Sequence, residues 1–231
     1  MNEFLEKILS PTYRGKTNLF WDLLQKFLPA VSYFGGINAL TQTLLKLTAP
    51  GVPDVYQGQE MWDFSLVDPD NRRPVDFRLR SRVLGELRAR SEDRKALCRE
   101  LLREFPDGRI KMWVTMCALN LRRDHKDLFQ QGTYVPLQVT HGREEHIVAF
   151  ARVHETEAIV VAAPRMSYTL MKGREEPPIG AVWADSEFSL PPQSTGKRLR
   201  NIFTGEIFPT GQRLLCREVF ATFPLALLAA Q

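Results

Sequence analysis

Cysteine is scarce in this chain, and long apolar runs are missing. The three cysteines, Cys98, Cys117 and Cys216, fall among 231 residues without CxxC spacing. That argues against a disulfide framework or a zinc site and points to a reduced, cytoplasmic setting. No stretch of about 18 apolar residues occurs, so no segment reads as a membrane helix and no membrane partner is expected. The opening MNEFLEKILSP is acidic early and lacks the basic start and apolar centre of a secretion signal. The four histidines, His125, His141, His146 and His154, show no HxxxH spacing. They read as surface positions rather than metal ligands. There is no GxSxG elbow and no Gly-rich phosphate cradle. A strong excess of one charge is also lacking. The net charge is +4, and basic residues alternate with acids in RSRVLGELRARSEDRKALCRELLRE. Such alternation makes a solvated helix with i,i+4 pairs rather than a phosphate-binding stripe, so nucleic acid is not an expected partner.

What is present suits a folded protein with a real core. The chain is 44% hydrophobic and 25% charged, ordinary values for a globular chain. Its first half reads helical. Apolar spacing predicts a helix over Asn18 to Leu28 with a break at Pro29. A second helix opens at Gly35 and Gly36, carries Leu40, Leu44, Leu45 and Leu47 on its apolar face, and stops at Pro50 and Gly51. Val52 to Tyr56 is β-prone and reads as one short strand. A polar loop runs through DPDNRRP, helix returns from about Arg80 to Glu104, FPDGR is a turn, and Ile110 to Arg123 is a largely buried helix. Beyond about Gly132 the segments are β-branched and aromatic, divided by Gly, Pro and charged turns, which predicts an antiparallel β unit. Met171 to Gly196 reads as a long excursion between strands. A lone strand among helices wants parallel neighbours on both sides. The helical half therefore reads as the last section of a larger α/β fold.

The stretch with most chemistry is Thr48 to Arg80, TAPGVPDVYQGQEMWDFSLVDPDNRRPVDFRLR. It packs carboxylates, amides, guanidinium groups and aromatics into a Pro- and Gly-rich run. Its Pro50-Gly51-Val52-Pro53, its Tyr56-Gln57-Gly58-Gln59-Glu60 and its LVDPDNRRPVD closely resemble the region around the eighth barrel strand of the maltooligosyltrehalose synthases. These belong to the α-amylase superfamily (glycoside hydrolase family 13). FGGINALTQTLLKLTAP, ALNLRRDHKDLFQQGTYVPL and FPLALL resemble the same family, most weakly in the β region.

The resemblance implies an α+β chain in two parts. Residues 1–129 would be the end of a (β/α)8 barrel, mostly helical with its last helices and one strand. Residues 130–231 would be an antiparallel β-sandwich C-terminal domain. The implied parent reaction is an isomerisation of the reducing-end α-1,4 link of a maltooligosaccharide to the α,α-1,1 link of trehalose, needing no metal or organic cofactor. The family's catalytic acids lie N-terminal to the matched region, and no position here matches them, so no catalytic residue is carried over. The substrate-binding residues implied are Tyr56, Gln57, Glu60, Asp68, Asp70, Asn71, Arg72 and Arg73, with an α-1,4-glucan oligosaccharide as ligand of the complete enzyme. The missing N-terminal part of that enzyme, or a second copy of the chain, is the expected protein partner. A free-standing α-glucan-binding or interaction module is the alternative.

Retaining glycosyl transfer needs two carboxyl groups about 5–5.5 Å apart. By composition Asp54, Glu60, Asp63, Asp68, Asp70 and Asp76 are the local candidates, though the resemblance assigns that role elsewhere. DPDN is also sound turn chemistry in its own right. Trp62 stands open between sugar platform and core. Trp21 and Trp113 read as core, and Trp183 as either an accessory glucan surface or a structural residue.

Overall fold

The computed structural model describes residues 2–13, 15–209 and 211–230. Helices come first and antiparallel sheets second. Helix α1 (Asn2–Leu9) leads through a small β1–β2 ribbon (Thr12–Tyr13, Lys16–Thr17) into the 30-residue α2 (Leu19–Thr48). Asn18 organises this corner. Its Oδ1 accepts from the amides of Phe20 and Trp21, capping α2, while its Nδ2 donates to the carbonyls of Lys7, Ile8 and Ser10 at 2.8–3.0 Å. One side chain thus satisfies orphan groups at the end of one helix and the start of the next.

The break expected at Pro29 does not occur; the proline lies inside α2. It removes one amide donor, but the turns on both sides are intact and none of the next five residues is a glycine or Asx that would start a turn. Gly36 does not open a helix either. A Cβ there would stand 2.6 Å from the Phe105 ring, so the glycine permits close approach within a continuous helix.

Residues 49–76 are irregular apart from a single 3₁₀ turn at Asp70–Arg72. The expected strand over Val52 to Tyr56 is not formed, and it belongs to none of the three sheets. Among the described residues no neighbouring strand lies beside it, and a β-prone segment without a partner has no ladder to join.

Helices α3 (Phe77–Ala89), α4 (Arg94–Arg103), α5 (Arg109–Asp124) and α6 (Lys126–Gln131) follow. The single helix expected from Arg80 to Glu104 is two. Asp93 accepts from the Ala96 amide at 3.1 Å and starts α4 afresh, which is the usual preference of Asp for a cap over a helix interior.

A six-stranded antiparallel sheet has the order β3-β5-β6-β11-β8-β9, from Thr133–Pro136, Ile147–His154, Glu157–Pro164, Ala226–Ala230, Leu199–Asn201 and Ile207–Phe208. A three-stranded sheet, β10-β7-β4, comes from Arg213–Leu215, Glu187–Ser189 and Val139–Thr140. Short helices α7 (Ser167–Met171) and α8 (Cys216–Val219) fill the connections.

The larger sheet is buried on both faces. Phe150, Ile159, Val161, Leu225 and Leu227 join one core with Leu40, Leu44, Trp113 and Leu121 of the helices. The alternate residues Ala149, Ala151, Val160, Ala162 and Leu228 join a second core with Phe188 and Leu214 of the small sheet. This explains why β5 and β6 read as nearly continuous apolar runs rather than alternating ones. Two further ties cross from helices to sheet. Thr41 Oγ1 donates to the Pro164 carbonyl at 3.0 Å, and Lys95 pairs with Glu206 at 2.6 Å.

Trp113 and Trp183 are fully buried. Trp183 Nε1 donates to the Pro178 carbonyl at 2.9 Å, so this ring is core and offers no accessory glucan surface. His146 is buried as well, against the expectation of a surface position. No described helix is long and apolar enough to cross a membrane.

Candidate functional site

The loop from Pro50 to Asp76 owes its shape to anchors at both ends and in the middle. At the start, Arg122 of α5 donates to the carbonyls of Leu47 and Gly51, at 3.2 and 2.7 Å. In the middle, Trp62 Nε1 donates to the Phe105 carbonyl at 2.8 Å, and the two rings lie 5.2 Å apart. Gly108, with φ of 78°, leaves room for this: a Cβ there would sit 2.9 Å from the Trp62 amide nitrogen. Trp62 is therefore a packing anchor rather than a sugar platform. At the end, Asp76 caps α3 through the Leu79 amide at 2.8 Å.

Arg80 then reaches back from α3. It donates to the Gly58 carbonyl at 2.5 Å, to the Asp76 carbonyl at 3.2 Å and to the Glu60 carboxylate at 3.2 Å. Gly58 is buried, and a Cβ there would press on Val75 at 3.0 Å. Glu60 is thus held from above by a cation twenty positions along the chain. It also borders a groove of about 340 Å³ between α3 and α5, floored by Leu84, Met112 and Met116.

The DPDNRR turn is a second, separate cluster. Arg72 meets Asp68 in a bidentate pair, Nε to Oδ1 at 2.9 Å and Nη2 to Oδ2 at 2.5 Å. Arg73 pairs with Asp70, whose other oxygen accepts from the Leu66 amide at 2.8 Å. The Asp68 hydrogen bond raises the Arg72 basicity, with a smaller contribution from nearby Tyr56. Asn71 Oδ1 is buried without a hydrogen-bond partner among the described residues.

Of the eight residues expected at the site, the structure joins Asp68 with Arg72 and Asp70 with Arg73, and sets Tyr56 near Arg72. Glu60 turns to Arg80 instead. Tyr56 and Gln57 are exposed.

Two functional-looking residues escaped the sequence reading. Arg80 is one; it lay in what read as an ordinary charged helix. The other is Lys111, half-buried in α5 and close enough to Asp63 and Glu60 to feel both. Burial lowers its basicity, and Lys46 lowers it further. The available signal was a lysine between Ile110 and Met112 in an otherwise apolar stretch. Asp63 accepts from the Ser65 amide and hydroxyl at 2.9 and 2.6 Å, and these bonds hold its carboxyl below the usual range.

A general acid for glycosyl transfer needs its carboxyl raised toward neutrality. Asp63 goes the other way, because its bonds from Ser65 favour the ionised, accepting form. Glu60, Asp68 and Asp70 pair with guanidinium groups, and Asp76 accepts from an amide. Such a surface presents fixed acceptors and planar donors. Among the described residues, no group of three or more His, Cys, Asp or Glu side chains is placed to hold a metal ion.

No protein-family model matches the chain. A protein of Mycobacterium tuberculosis named as a maltooligosyl trehalose synthase is 38% identical to it over 191 residues, which is 83% of this chain and 20% of that protein. The solved maltooligosyltrehalose synthase of Arthrobacter ramosus superposes on 99% of this chain and 25% of its own length, with a TM-score of 0.72 and 29% identity. A point mutant of that enzyme superposes on 92% of this chain and 24% of its own, at the same TM-score and 33% identity. The chain therefore spans a quarter or less of the length of these relatives. In sequence and in fold, the chain belongs to the maltooligosyltrehalose synthase family and corresponds to a C-terminal part of that enzyme.

Proposed function

We propose that this chain supplies part of the sugar-binding wall of a cytoplasmic maltooligosyltrehalose synthase. That enzyme is an isomerase turning the reducing-end α-1,4 link of a maltooligosaccharide into an α,α-1,1 link. The acids that break and remake the bond belong to the enzyme outside these residues, and the chain by itself is catalytically inert. No metal or organic cofactor enters this reading. The observation that carries it is the pairing of Asp68 with Arg72 and Asp70 with Arg73 on an exposed turn.

Sugar hydroxyls both donate and accept, and a carboxylate–guanidinium pair offers both functions at fixed spacing. In the Asp68 pair, Arg72 uses Nε and Nη2, and its Nη1 has no protein partner among the described residues. That nitrogen and the outer lobes of the carboxylates are the groups that meet ligand. An aromatic ring such as Tyr56 covers the apolar side of a pyranose. Arg80 acts behind this surface, holding Glu60 and the loop in place.

The test joins this chain to the unmatched three quarters of the Arthrobacter ramosus enzyme, replacing the matched quarter. The expected result is conversion of maltopentaose to a non-reducing product, with a fall of at least tenfold on Arg72→Ala. In the isolated chain, millimolar maltopentaose should shift the NMR signals of Tyr56, Asn71 and Arg72 without loss of reducing ends. A well-folded chimera that converts no sugar, together with a flat titration, refutes the proposal.

A further inference from the structure

The charged stretch from Arg80 to Glu104 reads as a run of ion pairs, and part of it is one. Arg80, Arg82, Arg90 and Arg103 each meet a glutamate. Arg88 and Arg94 do not, and neither does Arg200 of β8. Among the described residues none of these three guanidinium groups has an acidic partner. All three line one pocket of about 260 Å³, which opens where α3, α4 and α5 meet β8.

Each cation comes from a different element. Arg88 sits in the last turn of α3, Arg94 at the first position of α4, and Arg200 in the middle of β8. Arg94 is fixed in place. Its Nη1 donates to the Ile202 carbonyl, and its guanidinium carbon stands 5.5 Å from the Trp113 ring centroid. Arg200 reaches the same spot. A Cβ on Gly205 would lie 3.6 Å from Arg94 Cδ and 3.7 Å from Arg200 Nη2. Asn120 adds an amide to the lining. Asp124 is the lining's one acid among the described residues, and Arg123 already holds it at 2.8 Å.

Like charges gathered in a partly buried pocket disfavour one another. The side chains of Arg88 and Arg200 make no hydrogen bond among the described residues, so no bond within the chain offsets that repulsion. An anion would offset it. Three guanidinium groups exceed what one carboxylate can use, and they suit a tetrahedral dianion with several acceptor oxygens. The volume lies below the roughly 300–1,000 Å³ of pockets that take drug-sized ligands, so the anion is small. We infer that this pocket binds a phosphate group, as inorganic phosphate or as a small phosphomonoester, through Arg88, Arg94 and Arg200.

Titration of the isolated chain tests it, at constant ionic strength in chloride and well above the second phosphate pKa of about 6. Inorganic phosphate should bind saturably to one site by calorimetry. It should move the NMR signal of the Trp113 indole, under Arg94, and leave that of Trp183 where it is. Arg88→Gln and Arg200→Gln remove cations whose side chains bond nothing in the chain. Each should weaken binding about tenfold or more, the effect of one lost charge-assisted hydrogen bond. Arg165→Gln, an equal change of charge at an exposed position outside the pocket, should not weaken it.

Glucose 6-phosphate binding more tightly than phosphate assigns the pocket to a monoester; equal affinities assign it to the phosphate group alone. Both uphold the inference. Absence of saturation overturns it, and so does weakening by Arg165→Gln as large as by the pocket variants, which would mean diffuse attraction of counterions. The folded chimera is the last arm. Binding kept there upholds the site in the longer enzyme. Binding present in the isolated chain and lost in the chimera assigns the three cations to an acid of the remaining enzyme and overturns it.

Discussion

Arg152 lies in β5, an inner strand of the buried six-stranded sheet, 1% exposed, and no acidic side chain pairs with it among the described residues. Its partners are backbone carbonyls at the ends of two helices. Nη1 donates to Thr48 at 3.2 Å; Nη2 donates to Phe129 at 3.0 Å, Gly132 at 2.7 Å and, more weakly, Leu128 at 3.4 Å. The carbonyl end of a helix carries partial negative charge and unsatisfied acceptors, so one guanidinium closes both α2 and α6. Burial lowers its basicity, and neighbouring Arg122 adds to that.

Arg152→Met keeps much of the volume and removes every donor. A hydrogen bond to a charged group contributes roughly 1.5–3 kcal/mol, and a buried acceptor left alone costs roughly 1–3 kcal/mol. Relief of the buried charge offsets part of this. The expected net loss is about 3–4 kcal/mol. For a chain of this length, that lowers Tm by about 10 °C, at roughly 2–4 °C per kcal/mol. Urea unfolding followed by tryptophan fluorescence, with thermal circular dichroism beside it, measures both numbers. Arg152→Lys keeps the charge but not the planar fork, so its loss should fall between wild type and Met. A Met variant within about 1 kcal/mol of wild type refutes the reasoning, because the helix ends would then be satisfied without the guanidinium.

Glu100 accepts from Arg90 at 2.8 and 2.6 Å and from Arg109 at 3.1 Å, and these partners pull its carboxyl down to about 2. The folded value lies below the unfolded one, so the stabilisation is present above about pH 4.5 and is lost as pH falls toward 2. With the pair partly solvated, Glu100→Gln should cost about 1–2 kcal/mol at pH 7 and close to nothing near pH 2; a deficit that ignores pH would contradict this. Trp62→Ala should lower stability by about 2–3 kcal/mol by opening a cavity beside Phe105, while leaving maltopentaose shifts in the isolated chain unaltered; lost shifts would return Trp62 to the sugar site. Arg72→Ala should leave the urea midpoint where it is, because its pair is exposed, even as conversion in the chimera falls; a matched loss of stability would make Arg72 structural.

Several features of this molecule could be read from neighbouring residues alone. The start of α2 at Asn18, its stop at Pro50, the buried α5, and the β texture beyond Gly132 all follow from capping, periodicity and turn chemistry acting over a few positions. The acid- and arginine-rich loop was legible in the same way, since Asp68 with Arg72 and Asp70 with Arg73 are partners within one turn. Other features waited on contacts between distant segments. Pro29 passes through a helix because the turns around it hold. Val52 to Tyr56 stays unpaired because a strand requires neighbours. Trp62 is a half-buried packing anchor and Trp183 is core, because Phe105 and Pro178 accept their indole N–H groups. Arg80 finds Glu60 across twenty positions, and Arg152 finds the ends of two helices. Local preferences decide which conformation a segment favours. Burial and long-range pairing decide whether that preference is met, and they exist only once the chain has folded.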